Sequence, residues 1–469
     1  MPTSLMASNG MTNILILHGV NYYNAGDHGI ALSIFRTIHD SFPGAQIAVT
    51  SPFLSRTRTD QDFVARTREG FEDSYPEEIP DLYQVPAGRR RKAQVLLFAV
   101  KLLFYGIALT VLPYQLRAPL ARTTKFGTAV LNADLVLSKG GGFLLDRGTT
   151  YNIPTHLVTI WISVLLRKKT VIYAQSIGPF ENRVGRAIAG FVLRRVTQIL
   201  ARDAYSVDYV QAVLGVQADK VLLTADSAFE LSSALEDGTA SASVEAGTGT
   251  RARRARRGEV CITLVAPRYS GLPGQDAEAT YCAIIAKVIE ALVVWGYEVL
   301  LIPHLESGAH SDRILARRVS DLCAPEIRDR IEIFAPTNPI NIIKRMARCD
   351  FGLCSRMHSM IFAIDANLPF VALSYLPKSD SMLAEAGLDD WRLSLPDLAI
   401  DHVSNSSAKI IEKLEAMRAE LAKNREKVRA TQTFFQGRAR NNPEVLLKLL
   451  GDAAPPPMPH APKPHTTGH

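Results

Sequence analysis

The feature that most constrains this chain is an alternation of short apolar runs and helix-spaced segments that starts, stops and starts again. Residues 13–20, NILILHGV, form an apolar run closed by a polar, glycine-containing loop. Residues 29–42 carry apolar side chains at helical spacing, and 45–51, AQIAVTS, form a second run. That is a strand–helix–strand opening. Runs at 133–142, 169–179, 197–203 and 220–229 continue it. Residues 232–259 then hold small and polar residues followed by arginines, with almost nothing that could enter a core. Beyond them the alternation resumes, with strand-like runs at 259–267, 297–304, 330–336, 350–354 and 369–375 and helical segments between them. A charged amphipathic helix is expected at 407–430. Successive β/α units imply parallel sheets with helices on both faces. The predicted class is α/β, with two parallel-sheet domains facing across a cleft. The first, 12–231, carries an apolar and basic insertion at 88–125. A flexible arginine-rich linker, 232–258, leads to the second, 259–450, and a Pro-rich tail, 451–469, is expected to be disordered.

Composition suits such a globular chain, at 47% hydrophobic and 21% charged. The formal charge of +7 points to anionic partners, yet five arginines in RARRARR (251–257) supply most of it. The five cysteines are scattered through apolar segments without C-x-x-C or metal-ligand spacing, so free thiols in a reducing cytosol are expected. The first residues lack the charged and apolar regions of a signal peptide, which again predicts a cytoplasmic location. The insertion at 88–125 breaks the alternation: four basic residues precede about 19 mostly apolar ones, interrupted by Lys101. A true span would put strands of one sheet on opposite sides of a bilayer. The competing readings are a buried helix or helix pair, and a basic, apolar element on a membrane surface, which would make the protein peripheral at the inner face of the membrane.

Ligands of open parallel sheets bind beyond the carboxyl ends of the strands, which directs attention to the loops there. In NYYNAGDHG (21–29), Asn24, Gly26 and Asp27 lie between a strand and its helix, where glycine allows close backbone approach and Asn or Asp can cap. In KGGGFLLDRG (139–148), Gly140, Gly141 and Gly142 can present backbone N–H groups to an anion. Neither loop is a dinucleotide or P-loop fingerprint, since G-x-G-x-x-G and G-K-[ST] are absent. Basic residues recur at strand ends: Arg202, Arg268, Arg356 with His358, and Lys378. Singly each reads as a surface charge; together they suit a small polyanion, with arginine forks for carboxylate or phosphate oxygens. Ser355 can cap the helix that follows it, placing His358 in the first turn, where it can exchange protons near neutral pH. His18, His304 and His310 have no partners that the sequence reveals. No metal cluster, nucleophile elbow, paired glycosidase carboxylates or nucleic-acid module appears, so no metal, no cofactor and no nucleic-acid partner is expected.

The segments NAGDHGI, ADLVLSKGGGFLLD, AQSIGPF, ARDAYS, LLTADSAF and CSRMHSMIFAIDANLPFVALSYLPKSD recur in the order seen in the polysaccharide pyruvyl transferase family, which this chain resembles over about 13–385. The S-R-x-H and downstream S-Y-x-x-K elements are the most specific part. The resemblance implies two Rossmann-like domains in a GT-B-like arrangement. It also implies phosphoenolpyruvate as donor substrate and a sugar hydroxyl pair as acceptor, joined as a pyruvate ketal with release of phosphate. On that reading His358 is the acid, Arg202, Arg268, Ser355, Arg356 and Lys378 hold the donor, and Asn24, Gly26, Asp27 and Gly140–Gly142 shape the acceptor side. The insertion and linker depart from the family's compact pattern and leave the acceptor open between a polysaccharide, a lipid-linked sugar or glycolipid and a soluble saccharide. Two rivals stand beside it. One is a GT-B-like glycosyltransferase using a nucleotide sugar, with Glu306 as the carboxylate for a ribose. The other is a non-catalytic, membrane-associated subunit of a glycan assembly complex.

Overall fold

The computed structural model describes residues 12–51, 64–66, 68, 76–80, 91–146, 152–231, 257–266, 277–306, 311–336, 338–400 and 402–450. Arg268, His310, almost all of the expected linker and the tail 451–469 lie outside the described residues.

Two parallel sheets account for the two runs of alternation. The first contains β1 (Asn13–Leu17), β2 (Gln46–Ser51), β3 (Glu77–Pro80), β4 (Leu135–Ser138), β5 (Gly141–Asp146), β6 (Lys169–Phe180), β7 (Gln198–Ala201) and β8 (Val221–Leu223). Its order is β3-β2-β1-β4-β6-β7-β8, with β5 also on β6. The second contains β9 (Glu259–Ile262), β10 (Glu298–Leu301), β11 (Ile331–Ile333), β12 (Phe351–Cys354), β13 (Phe370–Ser374) and β14 (Arg392–Ser394), in the order β11-β10-β9-β12-β13-β14. In each sheet the chain first steps outward one way and then returns to build the other way. The reversal points are β1/β4 and β9/β12, and crevices at such points are where α/β sheets receive ligands.

The helices that matter for the site are α1 (Ala25–Ser41), α2 (Arg91–Val111), α3 (Tyr114–Ala121), α4 (Lys125–Asn132), α5 (Asn152–Leu165) and α6 (Arg183–Leu193) in the first half. The second half adds α7 (Ala277–Val294), α8 (Asp312–Leu322), α9 (Pro339–Met346), α10 (Met357–Asp365), α11 (Pro377–Glu385), α12 (Val403–Ala419), α13 (Leu421–Ala439) and α14 (Asn441–Leu450). The expected helix at 407–430 is thus two helices, α12 and α13, broken at Glu420 (φ −121°, ψ 33°). One face of the first sheet packs under α4, α5 and α6 in a separate core. The other face packs on α1, and that core runs without a break into the second sheet and its helices.

The chain then crosses back. Phe435 of α13 stacks on Phe229, with ring centroids 4.5 Å apart. Arg438 donates to the Thr224 carbonyl and pairs with Glu385 at 2.6 Å. Helix α14 lies against α1 and β6, where Lys169 Nζ donates to the Leu449 carbonyl at 2.5 Å. Residues 441–450, expected in the second domain, therefore rest on the first sheet.

The glycine-rich segment 140–142 is not the open loop expected. Gly141 and Gly142 begin β5, which pairs with the far half of β6. Strand β6 has 12 residues, so its end outruns β4 and needs another partner. Gly140 is a packing residue: a Cβ there would lie 2.8 Å from the Ala174 carbonyl oxygen. Of the 88–125 insertion, residues 91–121 fold as a helix pair, α2 and α3, parted at Pro113. Leu109 is buried, and Gly106 lets α2 approach Val158 of α5 closely. Among the described residues no helix is long and apolar enough to cross a membrane. All five cysteines are buried and free of disulfides.

Candidate active site

The two reversal points face one another, and the backbone fastens them together. The Ala25 N–H donates to the His304 carbonyl at 2.8 Å, the Glu306 N–H donates to the Tyr23 carbonyl at 2.8 Å, and Asn24 forms an antiparallel bridge with Leu305. Asn24 also caps α1, its side-chain oxygen accepting from the Gly26 (3.1 Å) and Asp27 (3.4 Å) N–H groups. Asp27 accepts from the Asn21 N–H at 2.8 Å and pairs with Lys139, which is buried at the end of β4. That ion pair spans the first reversal point.

Above it opens a cavity of about 180 Å³ lined from both halves, by Asn24, Gly26, Asp27, Gly141 and Gly142 on one side and His304, Arg356, His358, Tyr375 and Lys378 on the other. Gly26 has no room for a side chain, because a Cβ would collide with the His358 imidazole. Gly142 is less crowded: a Cβ there would lie 3.3 Å from Lys378 Nζ and 3.5 Å from Arg202 Nη2. An ammonium from the second half and a guanidinium from the first thus converge over one bare glycine.

Arg202 is buried at the end of β7. Its Nε donates to Ser176 Oγ at 2.7 Å and its Nη1 to Asp226 Oδ2 at 2.5 Å, while Nη2 is buried with no hydrogen-bond partner. Ser176 Oγ in turn donates to Asp203 at 2.6 Å. Asp226 also faces His358, whose Nε2 is 3.6 Å from Oδ2. Burial alone would raise the Asp226 carboxyl, but Arg202, His358 and the Ala228 N–H together hold it well below the usual carboxylate range. For His358, burial lowers the imidazole; Asp226 opposes this, and Arg202 and Lys378 add to it, so the net position is below 6.5. The ring retains 17% exposure towards the cavity.

Several expected residues come together here: Asn24, Gly26, Asp27, Gly141, Gly142, His358 and Lys378 line the cavity, and Arg202 stands beyond Gly142, against a smaller pocket that it shares with Asp226 and Lys378. Two take other roles. Ser355 is not the helix cap, because the chain turns one residue later and Arg356 occupies the capping position (φ −112°, ψ 144°). Ser355 instead ties β12 to β9, donating from Oγ to the Thr263 carbonyl at 2.8 Å, and Ser359 Oγ takes up the Arg356 N–H at 3.1 Å. Arg356 turns its fork onto buried Asp312, with Nε 3.0 Å from Oδ2 and Nη2 2.7 Å from Oδ1. Its guanidinium is a wall of the cavity already matched in charge, not an open donor ligand. Asp312 also accepts from the His304 and Leu305 N–H groups at 3.0 and 2.9 Å, so this pair positions the loop that meets Asn24. Glu306, the carboxylate expected of a ribose site, is bound by Arg313 through Nη2 at 2.6 Å and Nε at 3.2 Å.

Two residues take places that the sequence did not assign them: Asp226 was not singled out, and His304 was given no partner. Asp226 was present in LLTADSAF, but only the fold shows that it faces both Arg202 and His358. His304 is buried, with Nδ1 3.2 Å from the Ile302 carbonyl, which fixes the tautomer with an N–H there and leaves Nε2 as an acceptor. That Nε2 is buried with no hydrogen-bond partner, and burial pushes the ring down to about 3, so it stays neutral. His18, by contrast, has both ring nitrogens occupied, by Ser138 Oγ at 3.1 Å and Thr159 Oγ1 at 3.0 Å. Among the described residues no group of three or more His, Cys, Asp or Glu is placed to hold a metal ion.

A direct check on this geometry is Gly26→Ala. The added methyl must displace the His358 ring or part the two halves, so a stability loss of about 1–3 kcal/mol is expected, together with loss of the site's activity. Thermal unfolding measures the first; an unchanged midpoint would mean the halves do not meet this closely in solution.

The model of the family described as "Polysaccharide pyruvyl transferase" matches residues 24–377. The chain is 25% identical over 291 residues to the amylovoran biosynthesis protein AmsJ of Erwinia amylovora, covering 61% of this chain and 65% of that one, so the match spans less than two thirds of that relative. The fold is similar to a UDP-GlcNAc 2-epimerase from Neisseria meningitidis (TM-score 0.56, 11% identity, 93% of this chain and 100% of that one). It is also similar to a glycosyltransferase from Rickettsia africae (TM-score 0.50, 10% identity, 94% and 100%). These likenesses establish a GT-B-like fold of two Rossmann-like domains. With the family model covering most of the chain, the protein belongs to the polysaccharide pyruvyl transferase family.

Proposed function

We propose that this protein transfers the pyruvyl group of phosphoenolpyruvate to a pair of sugar hydroxyls, forming a cyclic ketal and releasing phosphate. The observation that carries the reading is the buried, unpartnered Nη2 of Arg202 set beside Lys378 over Gly142, where Lys378 and Gly142 line the same cavity as His358. A small molecule bearing both a carboxylate and a phosphate answers that pair of cations. Arg268 ends the strand-like run at 259–267 and is proposed as a further donor contact.

In the proposed reaction His358 gives a proton to the vinyl carbon, C3, leaving C2 cationic. With Nε2 turned to Asp226, the transferable proton sits on Nδ1, the ring edge nearest Gly26. One sugar hydroxyl adds to C2 and its proton restores His358. The C2–O bond to phosphate then breaks, and the second hydroxyl closes the ketal as its proton leaves with phosphate. His304 Nε2, the free acceptor of a residue that lines the cavity, is proposed to take a hydrogen bond from an attacking hydroxyl, and Asn24 and Asp27 are proposed to border the acceptor side. The protein is proposed to work in polysaccharide biosynthesis on the cytoplasmic side of the membrane.

The test is incubation with a saccharide acceptor and either phosphoenolpyruvate or a nucleotide sugar. Phosphate release and a pyruvate-sized mass gain with phosphoenolpyruvate alone support the reading; turnover with the nucleotide sugar alone overturns it, and no turnover on any acceptor favours the non-catalytic subunit.

Proton uptake gives a second check. Without a bound anion, burial together with Arg202 and Lys378 holds His358 below its ordinary 6.5, which favours the neutral ring at pH 7. A bound polyanion offsets Arg202 and Lys378 and raises the imidazole. Binding should therefore take up a proton, and affinity should fall by up to about tenfold per pH unit between the free and bound values. Calorimetry in two buffers of different ionisation enthalpy reads the proton count; zero uptake would contradict the assignment.

A further inference from the structure

We infer that the N-terminal domain docks on an anionic lipid surface through one face formed by α2, α3 and α6. This goes beyond the transfer reaction and does not depend on it.

Along α2, Leu103, Phe104, Ile107 and Val111 fall on a single stripe by helical geometry, and the stripe is exposed, Phe104 at 66% and Val111 at 73%. The opposite side of α2 is the packed one, with Leu109 buried and Gly106 against Val158. Helix α6 shows the same division: Val184, Ile188 and Phe191 are exposed, whereas Ala189, Val192 and Leu193 are buried. Trp161 of α5 joins the two stripes. Its Nε1 donates to Thr110 Oγ1 at 3.0 Å, and its ring lies 4.9 Å from that of Phe191. An exposed apolar surface this large on a folded domain marks a contact site.

The charge around it says which kind. Arg195 lies over the Phe191 ring at 3.9 Å and Arg167 over Tyr114 at 4.0 Å, so aromatic and cation meet at both margins. Lys101 on α2, Arg122 just after α3 and Arg183 at the start of α6 are exposed as well. Among the described residues from 100 to 195 the acids are Asp134, Asp146 and Glu181, and Asp146 is buried. An apolar centre with a basic rim matches acyl chains below anionic headgroups. A symmetric pairing of two copies would instead set arginines against arginines. No described helix can span a bilayer, so the contact is interfacial. The face lies on the side of the first sheet away from α1 and the second domain, so docking leaves the cleft free.

The test is flotation of the full chain with vesicles of phosphatidylglycerol and phosphatidylcholine, and with phosphatidylcholine alone. Binding to the anionic vesicles, weakened by 1 M salt, is expected. The double variant Phe104→Glu/Ile107→Glu should abolish it, and Arg183→Glu/Arg195→Glu should lower it about 30-fold or more. All four positions are exposed, so unfolding midpoints should hold; if the apolar pair misfolds, the arginine pair carries the test. Phosphate release on a soluble acceptor should be unchanged in these variants, which separates this inference from the catalytic one. Absence of binding, equal binding to both vesicle types, wild-type binding by the variants, or a dimer that Phe104→Glu breaks would each overturn it.

Discussion

Exchange of His358 for asparagine is expected to lower phosphate release from phosphoenolpyruvate in the presence of acceptor by about 10²–10⁴-fold, the usual loss for a positioned proton donor. Asparagine keeps a polar group near Asp226 but can neither gain nor lose a proton. Because Arg202 and Lys378 remain, donor affinity measured by calorimetry should change far less than turnover. The proton uptake described above should vanish with the imidazole. Full turnover in this variant would remove His358 from the mechanism, whatever became of the fold. Loss of donor binding equal to the loss of turnover would make it a ligand and not an acid.

The second large effect is expected from Asp226→Asn. Asp226 is buried, shared by Arg202 at 2.5 Å and His358 at 3.6 Å, and held ionised by them. Its lowered carboxyl contributes stability that is fully present at neutral pH and is lost only as pH falls through the folded value. Removing the charge while keeping the shape leaves a buried guanidinium without its counterion, which costs about 3–5 kcal/mol of stability by the usual experience with broken buried pairs. Denaturant unfolding measures that. Phosphoenolpyruvate should then raise the midpoint of the variant more than that of the parent, because the bound anion supplies the missing negative charge. A variant as stable and as active as the parent would show that the Arg202–Asp226 pair organises nothing.

Much of the fold was legible because parallel strands buried on both faces are written as unbroken apolar runs, as in NILIL and FVALS. Strands that bury little escaped: β3 reads EEIP and β14 reads RLS, and neither has an apolar signature. The Gly140–Gly142 run read as a loop because its pairing depends on how far β6 extends, which no local pattern records. In the site, His358, Arg202 and Lys378 stood out as cations at strand ends, and strand order then brought them together. Arg356 could not be assigned from sequence because its direction is set by Asp312, a buried acid at the start of a helix on another strand's loop. Asp226 is the mirror case: as an acid near a turn it is unremarkable until two distant cations close on it. Ser355 was misplaced by one residue, within the ordinary uncertainty of helix ends, yet that one residue moves its hydroxyl from the helix cap to the β9–β12 seam.

The return of the chain's last helices has its own consequence. Polypeptide passes from the first half to the second between residues 231 and 257, and it comes back through α13 to lay α14 on α1 and β6. Two strands of covalent chain therefore join the halves, like the two plates of a door hinge. Two crossings restrict relative motion of the halves more than one would, and the shared core and the backbone bonds of Ala25 and Glu306 restrict it further. Any motion that parted the halves would part Gly26 from His358, and Asp226 from the same ring. The proton affinity of His358 thus depends on how closely the halves are held, because Asp226 and Arg202 come from the first half and His358 from the second. A version of this chain ending before residue 441 would lose the hold of α14 on α1 and β6 and keep only the contacts of Phe435 and Arg438 with the first half.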